Sequence, residues 1–164
     1  MIRFLYILTL FVASSGVSIS QNAQKNTVNF PKITGPIQIT DGPREHFFAS
    51  YYAINSFSKS QKYVTVLQTD IRYKLPDEND AATLGLVDLE TKQFIPLSQT
   101  RAWNFQEGCM AHWLGSSPDS LIIYNDYRGG KFVSVILNVH TKTEIRVIDR
   151  PISAVSPNGK EAVG

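Results

Sequence analysis

From Tyr51 onward, short apolar runs of strand length alternate with polar turn clusters in a repeating order: strand, turn, strand, loop, strand, turn, strand. The first unit predicts strands over residues 52–57, 62–68, 83–89 and 93–97. A Ser-Lys-Ser-Gln turn, a long polar loop over 69–82 and a Glu-Thr-Lys turn separate them. The second unit predicts strands over 109–114, 121–126, 132–139 and 144–148, with tight turns at Arg128-Gly-Gly-Lys131 and His140-Thr-Lys142. A third unit starts at Ile152, makes its turn and reaches Gly164 inside its second strand.

Three stretches repeat one pattern: an apolar pair, a Ser/Pro/Asp/Asn/Gly/Lys turn, then an apolar strand. They centre on Phe57, Leu114 and Val155. The turn residues suit the task, because Pro presets φ, Asn and Asp tolerate left-handed geometry and Gly accepts positive φ. A period of roughly 40–50 residues built from short strands suggests β-propeller blades. The expectation is an all-β chain: about two blades of four-stranded antiparallel sheet, plus the start of a third. The boundaries are 44–98 for the first blade, 99–150 for the second and 151–164 for the incomplete third. Repeat units bury too little surface alone, so the incomplete third unit is read as the N-terminal part of a longer protein. A small β-sandwich is the alternative.

Residues 1–20 read as a secretory signal: Arg3 provides the positive charge, Phe4 to Ala13 the apolar segment, and Ser18 and Ser20 the small residues before Gln21. That apolar stretch falls short of the roughly 20 residues a membrane-spanning helix needs. The mature protein is expected to be exported, periplasmic or extracellular. Residues 21–43 read as a linker in which Ile37-Gln-Ile-Thr40 is a candidate strand for closing a ring.

Composition narrows the classes. With 43% hydrophobic and 11% aromatic residues, the chain has the make-up of a folded protein. Sixteen Lys and Arg face fourteen Asp and Glu, with no basic run of the kind that tracks phosphates, which argues against nucleic acid. The single Cys109 excludes an internal disulfide framework and a cysteine-based zinc site.

The Ser156-Pro-Asn-Gly-Lys160 turn and its degenerate copies at 58–62 and 116–120 resemble the blades of exported propellers of the TolB type, and those of the oligogalacturonate lyases. Asp88-Leu-Glu-Thr-Lys92 and Asn138-Val-His-Thr-Lys142 are similar to the turns before the fourth strand of such blades. The resemblance covers about residues 50–164. It implies a propeller fold and leaves function open, because this architecture hosts unrelated activities. In the lyases the metal-binding histidines come from later blades, so none is carried onto this chain. No metal site and no cofactor are assigned to this segment, and a divalent metal would belong to missing blades.

Propeller connectivity predicts that His46, Arg101, Trp103, Asn104, Gln106, Glu107, Asp126, Arg128 and Arg150 gather on one loop-bearing rim, where binding sites usually sit. Trp103 with Phe105 could stack on a sugar or plug the gap between blades. The arginines, Arg44 included, could clamp a carboxylate or serve in structural ion pairs with Asp126, Glu107 and Asp149. His112 is expected to face a channel or the core, and His140 a turn. Cys109 reads as a buried small hydrophobe rather than a nucleophile. No nucleophile elbow, Walker loop or dinucleotide fingerprint occurs.

Three functions follow as expectations. The first is a ligand-binding propeller holding a small polar ligand, with an acidic saccharide as candidate. The second is a metal-dependent, lyase-like enzyme whose catalytic blades lie elsewhere. The third is a protein–protein scaffold of the cell envelope.

Overall fold

The computed structural model describes residues 35–164, so the proposed signal segment lies outside the described residues. The described chain is all-β. It contains β1 (Glu45–Phe48), β2 (Tyr63–Thr69), β3 (Ala82–Asp88) and β4 (Phe94–Thr100), then β5 (His112–Trp113), β6 (Leu121–Arg128), β7 (Lys131–Asn138) and β8 (Thr143–Ile148), and last β9 (Ala154–Val155) and β10 (Ala162–Val163). These form two four-stranded sheets in sequential order, β1-β2-β3-β4 and β5-β6-β7-β8, and a two-stranded hairpin, β9-β10. Every pairing is antiparallel.

Hydrogen bonds in the first and third sequence repeats match bond for bond. In the first copy, Ser58 N donates to Tyr63 O at 2.8 Å and Gln61 N to Ser58 O at 2.9 Å, while Tyr63 N donates to Ser58 Oγ at 3.1 Å. In the third, Ser156 N donates to Glu161 O and Gly159 N to Ser156 O, both at 2.8 Å, and Glu161 N donates to Ser156 Oγ at 3.0 Å. Gln61 and Gly159 hold the left-handed position in each, with φ of 58° and 69°. The middle copy is wider: Leu114 N donates to Leu121 O, and Asp119 takes φ of 62°.

The turns before the fourth strands match as closely. Asp88 Oδ1 accepts from Glu90 N and Thr91 N, both at 3.0 Å, and Asn138 Oδ1 accepts from His140 N at 2.9 Å and Thr141 N at 3.1 Å. Lys92 and Lys142 then adopt φ of 60° and 57°. A side-chain oxygen two residues upstream stands in for a backbone carbonyl, which is why Asp and Asn interchange here.

The two-residue alternation of a strand sorts side chains onto two faces. One face of the first sheet, with Leu67, Leu84, Leu86, Ile95 and Leu97, packs against Ile122, Tyr124, Val133, Val135 and Leu137 of the second. Tyr124 Oη lies 2.9 Å from Ser98 Oγ across that seam, and burial pushes its phenol up to about 12. The other face of the second sheet packs Ile123, Ile136 and Ile148 against Ile152 and Val155 of the third unit. Asn125 fixes that junction, its amide donating to Ile152 O and accepting from Ile152 N, both at 2.8 Å. On the far side of the first sheet, Val64, Val66 and Val87 are covered by Ile39, Leu89 and Phe94.

Two strand expectations are corrected. Residues 52–57 do not form the first strand of the first sheet: β1 is Glu45–Phe48, paired with β2, and only Phe57 rejoins the sheet, bridging Val64. The hydrophobicity of Tyr51, Tyr52 and Ile54 mimics a strand, but the chain turns there, with Ile54 N donating to Tyr51 O at 2.9 Å. Residues 37–40 are likewise not a strand, although Ile39 does pack on the valine cluster.

The third unit is held to the second by a contact that leaves no room for a side chain. A Cβ at Gly115 would lie 2.0 Å from Pro157 O. We expect Gly115→Ala to release the β9–β10 hairpin: amide exchange at Ser153 and Ser156 should accelerate, while β2 and β3 amides keep their protection. Unchanged exchange at Ser153 would refute that packing.

Candidate functional site

The loop following β4 builds a cleft at one end of the two sheets. Its base is Trp103, only 7% exposed, whose Nε1 donates to Asp80 O at 2.7 Å. The indole meets Phe105 edge-on at 5.4 Å, and Phe105 meets Phe47 edge-on at 4.8 Å, so the aromatic row ties the loop to β1. Beyond it, Asn104 Oδ1 accepts from Gln106 N at 2.8 Å and Glu107 N at 2.7 Å. Asn104 and Gly108 exchange backbone bonds at 3.1 and 3.0 Å. Gly108 closes this turn with φ of 57°.

The cleft has a volume of about 480 Å³ and is lined by Pro76, Asp77 and Glu78 from the β2–β3 loop, Arg101 to Asn104, Glu107, Gly108 and Met110, and Asn125, Tyr127 and Phe132 from the second sheet. Its charged lining is three carboxylates, Asp77, Glu78 and Glu107, against the single guanidinium of Arg101.

Of the residues expected on the rim, Arg101, Trp103, Asn104 and Glu107 line this cleft together. Gln106 is exposed beside them and does not line it; its backbone N–H helps to close the Asn104 turn. Asp126 and Arg128 form a separate network. Asp126 Oδ1 accepts from Arg101 N at 3.0 Å and Tyr127 N at 2.8 Å, and its Oδ2 accepts from Arg128 Nε at 2.6 Å. Arg128 also grips Glu144 through two bonds of 2.9 and 2.6 Å. Those bonds hold the Glu144 carboxyl below its ordinary range and push the guanidinium further up. Asp126 thus positions the Arg101 backbone, and Arg128 commits all three of its guanidinium nitrogens to carboxylates of the chain.

His46 stands apart, in β1, with its Nε2 3.0 Å from Gln68 Nε2 and its ring edge-on to Phe94 at 5.4 Å. Burial, then the nearby Arg44, lowers its pKa. Arg44 is itself engaged with Asp70 through two bonds of 2.8 Å. Arg150 is exposed, and its carbonyl accepts from Ser134 Oγ. Cys109 is buried, with burial pushing its thiol far up, so it is no nucleophile at neutral pH.

Sequence reasoning passed over Asp77, Glu78 and Asn125. The first two sit in the polar loop over 69–82, which the sequence marked as a loop without naming them as site residues. Asn125 was hidden inside a strand. Among the described residues, no group of three or more His, Cys, Asp or Glu is arranged to hold a metal ion. No protein-family model, curated protein or solved structure matches the chain.

Proposed function

We propose that this chain is part of an exported β-propeller that binds a small polar ligand in the cleft beside Trp103. The propeller reading rests on two equivalent four-stranded sheets stacked face to face, with a third unit opening on the same turn. Export rests on the pattern of residues 1–20. Binding rests on the cleft's make-up: a rigid aromatic base, an amide at Asn104, and charged side chains around it.

The charge balance refines the ligand. Three carboxylates against one guanidinium favour a neutral or cationic ligand, such as a neutral or amino sugar, over an acidic saccharide. The test is calorimetric titration with matched neutral, amino and uronic sugars. Binding should be tightest for the amino sugar. Glu107→Gln should weaken it about tenfold, the scale of roughly 1.4 kcal/mol, without moving the melting temperature. Absence of binding by all three sugars, or tightest binding by the uronic one, would overturn this reading.

A further inference from the structure

The cleft beside Trp103 contains an aromatic surface that Trp103 itself does not supply. The indole is 7% exposed and its Nε1 is committed to Asp80 O at 2.7 Å, so it forms the floor and presents little of itself to a ligand. The exposed side chains of the lining are Asp77, Glu78, Arg101, Glu107 and Phe132. Four of them carry charge. Phe132 is the apolar member, and it is 55% exposed.

That ring is held in place by its surroundings. Phe132 follows the two-residue turn joining β6 to β7, in which Gly129 and Gly130 take φ of 58° and 82° and Arg128 pairs with Lys131. Positive φ at both central residues gives the tight hairpin whose twist matches its strands. Ion pairs pin both flanks of the turn: Arg128 to Asp126 and Glu144, and Lys131 to Asp149.

Phe132 stands directly opposite Tyr127 across the hairpin, and the two rings meet edge-on at 5.0 Å. Tyr127 is fixed in turn, its N–H donating to Asp126 Oδ1 at 2.8 Å. An exposed aromatic ordered in advance costs a ligand less than one that must be immobilised on binding.

We propose that Phe132 is the specificity-determining residue of the cleft, its ring packing on the apolar C–H face of a pyranose. Asp77, Glu78 and Glu107 then take the hydroxyl and amine groups at the sugar's edge. The inference rests on the sugar reading above and assigns the stacking surface that reading leaves open. One flat apolar surface among charged groups fits a ligand divided in the same way. A cyclic sugar has such a face and an open-chain polyol does not.

The experiment is calorimetric titration of the whole protein with glucosamine and with glucamine, an open-chain amino polyol of the same charge. Glucosamine should bind about tenfold more tightly. Phe132→Ala should remove that advantage, weakening glucosamine about tenfold while glucamine affinity and the melting temperature stay unchanged. Phe132→Tyr, which keeps the ring, should retain glucosamine binding. Unchanged glucosamine affinity in Phe132→Ala would overturn this inference and leave the sugar reading standing. An equal loss for both probes would do the same, by marking Phe132 as structural. No glucosamine binding by the unaltered protein would overturn the sugar reading and this inference with it.

Discussion

Trp103→Ala should lower stability by about 3–5 kcal/mol, the cost of deleting a large buried aromatic. In a domain of this size, that corresponds to a fall in melting temperature on the order of 10 °C or more. The indole joins a core that spans both sheets, from Leu84 and Leu86 of β3 to Val133 and Val135 of β7. Removing it would also leave Asp80 O without its 2.7 Å donor. Trp103→Phe should recover most of the packing but not that bond, so its loss should be clearly smaller. Thermal and urea denaturation of both variants decide the matter. A melting temperature unmoved by Trp103→Ala would show that the ring serves the ligand alone.

Gly108→Ala should be more damaging still, above about 4 kcal/mol or sufficient to prevent folding, because backbone rather than side chain blocks the new methyl. A Cβ there would lie 2.2 Å from the Ala49 carbonyl carbon, at φ of 57°. Ala49 O accepts from Cys109 N at 3.1 Å and Ala111 N at 3.0 Å, which stitches the first unit to the second. Relief of the clash would break that stitch. Gly129 is the control: it has φ of 58° but nothing within 4 Å of the would-be methyl. Gly129→Ala should therefore cost only the left-handed penalty, about 1–2 kcal/mol. Equal melting temperatures for the two variants would contradict the packing of Ala49 on Gly108.

The turn chemistry was the most readable part of the sequence. Ser, Asn, Asp and Gly act through hydrogen bonds within a few residues, so Asp88 and Asn138 could be placed without knowing the fold. The long-range partners were less readable. Tyr51 and Tyr52 look like strand residues, but whether that segment pairs depends on what β2 already holds: Glu45–Phe48 occupies its edge from Val66 to Thr69. The cleft was partly readable for the same reason. Loop residues Arg101, Trp103, Asn104 and Glu107 fall together because they share one short loop. His46 does not join them because it points to the face of β1 that meets Phe94. Loop connectivity placed the arginines near the rim and offered Asp126 as an ion-pair partner, which Arg128 takes up, but Glu144 of β8 was not among the partners foreseen.

Stacked, two-sided sheets are the centre of this account, and their outermost faces test it. Phe48 on β1 is 70% exposed and Val163 on β10 is 67% exposed, and they lie in the units at the two ends of the stack. The decisive measurement is an experimental structure of the complete gene product. The account predicts further four-stranded sheets of the same order covering both residues, with β9 and β10 as the first two strands of the next one. A structure in which Val163 and Phe48 stay in solvent, or in which β9–β10 joins no larger sheet, would contradict it.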